Sequence, residues 1–105
     1  MLEETIVVCA GEFGRTPQVN GSAGRDHWSR SMAVLLAGGG FPGGVAYGST
    51  DDRGTAPTRD ACSPDDLAAT LFQRLGFGPR HEVRSTGGRP IPIFREGRCL
   101  EALVG

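Results

Sequence analysis

Lysine is absent from this sequence, and all eleven basic residues are arginine. Twelve acidic residues offset them to a formal net charge of -1, so the chain lacks the basic surplus on which binding to nucleic acid or an anionic membrane draws. Cysteine is scarce: Cys9, Cys62 and Cys99 stand far apart with no CxxC pair, which argues against a disulfide framework, a zinc knuckle or a redox motif. Cys9, inside an apolar run, reads as a small hydrophobe. No apolar run approaches the roughly 20 residues that span a bilayer, and no charged start leads into an apolar stretch of signal-peptide length. Taken alone, the chain reads as soluble.

Punctuation, in contrast, is abundant. Seventeen glycines and seven prolines in 105 residues point to many turns and short regular elements. A chain of this length is one domain at most. Met1–Glu4 leads almost directly into a strand with nothing before it to pair with, so residues 1–105 read as a single partial domain.

Thr5–Ala10, "TIVVCA", is a continuous β-branched apolar run, the pattern of a strand covered on both faces in a parallel sheet. Gly11–Gly24 carries no periodicity and reads as a long loop of the kind that is functional or disordered. Ser31–Gly40 reads as a strand, or else a short helix, ended by three glycines, and Gly43–Asp51 could pair with it across the turn at Phe41-Pro42-Gly43, the two forming a hairpin or two strand ends. The clearest element is "SPDDLAATLFQRLGF": Ser63 as N-cap, Pro64 at the first helical position, Asp66 at capping-box spacing and Gly76 as the left-handed terminus. Leu67, Ala68, Leu71, Phe72 and Leu75 would form its apolar face, lying on a sheet. The final segment, "RPIPIFREGRCLEALV", reads as an edge strand or an extended tail.

Two polar clusters could carry chemistry. Glu12 stands at the exit of the first strand, where open α/β sheets place their ligand crevice. Arg25, Asp26, His27 and Trp28 are consecutive after a glycine-rich approach, and a carboxylate beside an imidazole suits a divalent metal. Loops leaving the same end of adjacent strands would bring Glu12 and His27 together. The plainer alternative is that these side chains are solvated or locally hydrogen-bonded. Arg15 and Arg25 could hold a phosphate or sulfate bidentately, or simply neutralise Glu12 and Asp26. Trp28 reads as a packing residue and His81 as exposed. "AGGGFPGG" lacks the lysine and hydroxyl of a P-loop and reads as a turn. Ser29, Ser31 and Ser63 lie in no nucleophile-elbow motif.

The segments "ETIVVCAGEFGRTPQVNGSAGRDHW", "VLLAGGGFPGGVAYGSTDDRG", "SPDDLAATLFQRLGF" and "GGRPIPI", in that order, resemble the C-terminal portion of the domain of unknown function 1501 family, sulfatase-like proteins of the alkaline phosphatase superfamily. The resemblance covers nearly the whole chain. It implies part of an α/β/α sandwich with a mostly parallel sheet, and hydrolysis of phosphate or sulfate esters with one or two divalent ions such as zinc, manganese or calcium. On that resemblance Glu12 and His27 are metal ligands, Asp26 is a ligand or fixes the imidazole's tautomer, and Arg15 and Arg25 are substrate-binding. Where the superfamily has an aspartate-histidine pair, this chain has Glu12-Phe13, so the carboxylate is kept and the adjacent imidazole is not.

Two functions follow. One is the metal-ligand-bearing segment of a sulfatase- or phosphatase-like hydrolase acting on a small-molecule or glycan ester, inactive without the N-terminal half that carries the nucleophile in that superfamily. The other is a non-catalytic binding or assembly module for a sulfated or phosphorylated partner. The resemblance also implies export of full-length relatives to the bacterial periplasm or cell surface. An incomplete sheet would favour self-association through its apolar edge.

Overall fold

The computed structural model describes residues 1–104, and Met1–Ala61 forms one compact unit while a second begins at Cys62. After a 3-10 turn at Leu2–Glu4, the first unit contains β1 (Ile6–Ala10), β2 (Gly14–Arg15), β3 (His27–Trp28), β4 (Val34–Gly38), β5 (Ser49–Thr50) and β6 (Pro57–Arg59). They form three separate two-stranded sheets, β1-β4, β2-β3 and β5-β6, all antiparallel.

This overturns the expected α/β/α sandwich with a mostly parallel sheet. No parallel pair occurs among the described residues. A short continuous apolar run reports burial potential but not strand direction. Here β1 runs against β4 with Ile6 opposite Gly38 and Ala10 opposite Val34. Nor is β1 covered: Val8 is 44% exposed, Leu35 opposite Cys9 is 59% exposed, and Cys9 itself is exposed rather than packed. No described residue of the first unit is fully buried. The glycine run after β4 does end the strand, because Gly38, Gly39 and Gly40 all adopt positive φ (72°, 55° and 81°), conformations closed to most side chains.

Of the two arrangements expected for residues 31–40 and 43–51, the hairpin does not form, and each segment supplies a separate strand. β4 pairs with β1 instead, and β5 turns forward to β6. Asp51 organises that turn. Its Oδ1 accepts from the N–H groups of Arg53 (3.1 Å) and Thr55 (2.8 Å), and its Oδ2 accepts from the Thr55 hydroxyl. An aspartate that folds back on the backbone two to four residues ahead is a strong local turn former.

The second unit contains α1 (Pro64–Arg74), β7 (Glu82–Arg84), β8 (Pro90–Pro92) and α2 (Glu101–Val104), with β7 and β8 an antiparallel pair. α1 has the ends that its sequence dictates. Ser63 Oγ accepts from Asp66 N–H while Asp66 Oδ2 accepts from Ser63 N–H, a reciprocal capping box. At the other end Gly76 (φ 92°) lets Phe77 N–H reach Phe72 C=O (2.9 Å) and Gly76 N–H reach Gln73 C=O (3.0 Å), a Schellman closure.

Of the apolar face expected for α1, Leu67, Ala68, Leu71 and Phe72 are half-buried and Leu75 is 61% exposed, while the fully buried residues, Ala69 and Thr70, lie beside it. The final segment forms the expected edge strand as β8, and its remainder does not run on as an extended tail but closes in α2 against α1. Thr70, fully buried, donates its hydroxyl to Asp66 C=O (2.7 Å) and accepts the N–H of Leu100 (2.9 Å), itself 3% exposed. Asp66 Oδ1 accepts Arg98 N–H (2.8 Å), and Arg74 Nη1 donates to Val104 C=O (3.1 Å). Phe72 adds an edge contact to Phe77 and a tilted contact to Phe94, with ring centroids 6.0 Å away in each case.

Candidate functional site

The segment from Gly11 to Trp28 is ordered by its own backbone and side chains rather than being a structureless loop. β2 and β3 place Gly14 opposite Trp28 and Arg15 opposite His27. Beyond them Thr16 continues the pairing: its N–H donates to Asp26 C=O (2.9 Å) and its Oγ1 accepts Asp26 N–H (3.1 Å). At the tip Asn20 Oδ1 accepts from the N–H groups of Ser22 (2.9 Å) and Gly24 (3.0 Å), and Asn20 N–H donates to Gly24 C=O (2.8 Å). The Asn20-Gly21 dipeptide is the hairpin signal that would have exposed this pairing in the sequence.

The two clusters singled out in the sequence therefore meet, but through a different pair of side chains. The rings of Phe13 and His27 lie 4.0 Å apart at 38°, and the Arg15 guanidinium carbon stands 5.6 Å from the Phe13 ring centre. His27 and Glu12 are both exposed. The Asp26 carboxylate accepts from Asn20 Nδ2 (3.0 Å), so it braces the turn. Arg25 Nη1 donates to the carbonyls of Thr16 (2.9 Å) and Pro17 (2.5 Å), and Arg15 Nη1 donates to Arg25 C=O (3.2 Å). Both guanidinium groups clasp the hairpin backbone. Among the described residues no three of histidine, cysteine, aspartate and glutamate come together as a metal-holding group. The donors present here do not close a metal centre by themselves, since even catalytic zinc takes three protein ligands.

Trp28 links the hairpin to the Asp51 turn: its Nε1 donates to Thr55 C=O (2.8 Å), and the Arg30 guanidinium carbon lies 5.9 Å from its ring. Sequence reading missed Phe13, Thr16, Asn20, Arg53 and Thr55. Asn20-Gly21 and Asp51-Asp52-Arg53-Gly54 were the signals available.

The carboxyl of Asp51 is held below the usual aspartate range, first by the Thr55 hydroxyl and then by the Thr55 and Arg53 N–H groups. A carboxyl depressed in the folded state stabilises that state above its unfolded pKa and ceases to do so as the pH falls through the folded value. Acidification below about pH 4, the ordinary aspartate value, is therefore expected to loosen the 51–55 turn. Trp28, the only tryptophan, reports on that turn through Thr55. Its emission should shift to the red in this acid range; Asp51→Asn, which keeps the Oδ1 acceptor but does not titrate, should remove the step, and Asp51→Ala should give the loosened signal already at neutral pH.

Over residues 1–104 the chain matches the family described as "Protein of unknown function (DUF1501)", and it belongs to that family. No curated protein and no solved structure matches it.

Proposed function

We propose that this DUF1501 chain is the donor-presenting segment of a sulfatase- or phosphatase-like ester hydrolase, with its β2-β3 hairpin contributing Glu12 and His27 to a divalent-metal site whose remaining donors lie outside the segment. One observation carries the reading: β3 sets His27 opposite Arg15 and against Phe13, the neighbour of Glu12. The "GEFGRTP" and "GRDHW" motifs thus form one structural unit, with an exposed imidazole and an exposed carboxylate on it. A neutral imidazole and a carboxylate suit zinc, and the carboxylate also suits manganese or calcium.

Because the described residues form no complete metal centre, no catalytic step is assigned to a metal, and no residue of this chain is assigned the nucleophile. Asp26 and Arg25 act as positioning residues. They hold the turn that carries His27 through Asn20, Thr16 and Pro17.

A zinc titration of the purified chain followed by imidazole proton NMR tests the proposal. The chain has two histidines, and His81, outside the hairpin, serves as the internal reference. His27 should move saturably, with Glu12→Gln weakening the response several-fold. Equal, weak shifts of both rings, or an unchanged response in Glu12→Gln, would refute the assignment.

A further inference from the structure

A cleft of about 170 Å³ lies between the hairpin and the Asp51 turn, lined by Thr16, Pro17, Gln18, Trp28, Arg53 and Thr55. Most of its polar atoms already have partners. The Thr16 hydroxyl donates to Gln18 C=O (2.8 Å) and accepts from Asp26 N–H. Trp28 Nε1 bonds Thr55 C=O, and the Thr55 hydroxyl bonds Asp51. Two donor groups are left over, since neither the Arg53 guanidinium nor the Gln18 side-chain amide has a hydrogen-bond or ion-pair partner among the described residues.

We propose that this cleft binds the oxyanion group of a small ligand, with Arg53 as the charged clamp, Gln18 as a second donor, and Pro17 and Trp28 as the apolar wall. A guanidinium offers two parallel N–H donors to a sulfate, phosphate or carboxylate. The volume decides how much of a ligand enters, because sites for whole drug-sized molecules run about 300–1,000 Å³ and this one is smaller. It seats a head group, and the rest of the ligand stays outside. The walls are set before binding by the Asp51 turn and the Thr16 and Arg25 bonds, which limits the ordering cost of association. Arg53 takes the anion-holding part that the sequence suggested for Arg15 and Arg25, whose guanidinium groups hold backbone carbonyls instead. That this oxyanion belongs to an ester substrate rests on the proposed function, whereas the binding itself does not.

Trp28 is the native reporter. Its fluorescence is titrated at constant ionic strength with sodium sulfate, phosphate and acetate, with chloride as the blank. A saturable change with the oxyanions and none with chloride is expected. Arg53→Gln should weaken it about tenfold, the loss of one charge-assisted contact. Arg53→Lys, which keeps the charge but not the fork, should fall between. Arg59→Gln, outside the cleft, should bind like the wild type. If the tetrahedral ions bind more tightly than acetate, the head group is a sulfate or phosphate; the reverse order marks a carboxylate. A linear or absent response, an adventitious ion effect only, or an Arg53→Gln variant that binds unchanged would overturn the proposal. Because Arg53→Gln should leave the zinc response of His27 intact, failure of the cleft and failure of the metal reading are distinguishable.

Discussion

Gly14→Ala is expected to distort the β2-β3 pairing and to weaken the selective response of His27 to zinc severalfold. A methyl group at Gly14 would fall far inside van der Waals contact with the Ser31 carbonyl oxygen, and it would stand 3.0 Å from that of Trp28. Both obstacles are backbone, so no side-chain rotation relieves them. Overpacking of this kind costs on the order of 3 kcal/mol. The two-residue ladder at the clash is backed by the Thr16–Asp26 bonds and the Arg15 and Arg25 clasps, so the strain should distort the pairing at Gly14 and Trp28 and displace the backbone at Ser31. Gly11→Ala is the matched control, because its methyl would meet only the Phe13 carbonyl at 3.4 Å, an ordinary contact. Proton NMR should show the Phe13 and His27 ring signals losing their mutual dispersion in Gly14→Ala and keeping it in Gly11→Ala. Native ring shifts in Gly14→Ala would mean that β2 and β3 are not joined as described.

Thr70→Val should have a comparably large effect on the second unit. The substitution preserves shape but removes the hydroxyl that accepts the Leu100 N–H in a fully buried position. That N–H would be left without its acceptor, at a cost of about 2 kcal/mol. For a domain of this size such a loss lowers the melting temperature by roughly 10 °C. Thr70→Ser retains the hydroxyl and should lose less than half as much, which separates the hydrogen bond from the methyl contact. If thermal unfolding followed by circular dichroism gives the two variants equal losses, packing rather than the hydrogen bond fixes the C-terminal segment on α1.

The contrast between these two regions explains what the sequence made legible. The ends of α1 are local events: a serine three residues before an aspartate, a proline at the first turn, and a glycine after the last apolar residue each act within one turn of chain. They appear in the structure as read. The apolar stripe of α1 was legible as far as Leu71 and Phe72, but the burial of Thr70 was not, because Thr70 is selected by a hydrogen bond to a residue thirty positions away. Strand direction was equally out of reach, since the apolar run at 5–10 says nothing about whether its partner at 34–38 runs with it or against it.

The joining of the two motifs was legible, and the detail of the candidate site was not. The loops of Glu12 and His27 do come together, yet through Phe13 rather than through the carboxylate. Residue types alone could not tell that Arg15, Arg25 and Asp26 bond the hairpin's own backbone and Asn20. An arginine that clasps carbonyls and one that awaits an anion look the same in a sequence. Arg53 was passed over for that reason, its place being set by the Asp51 turn.

The account depends on His27 and Phe13 facing each other across the β2-β3 pair. A nuclear Overhauser spectrum of the unmodified chain tests this most directly, since ring centroids 4.0 Å apart require strong cross-peaks between the two side chains. Such cross-peaks are the predicted result. Their absence, with His27 giving the sharp unperturbed signals of a free imidazole, would contradict the joining of the two motifs and the function built on it.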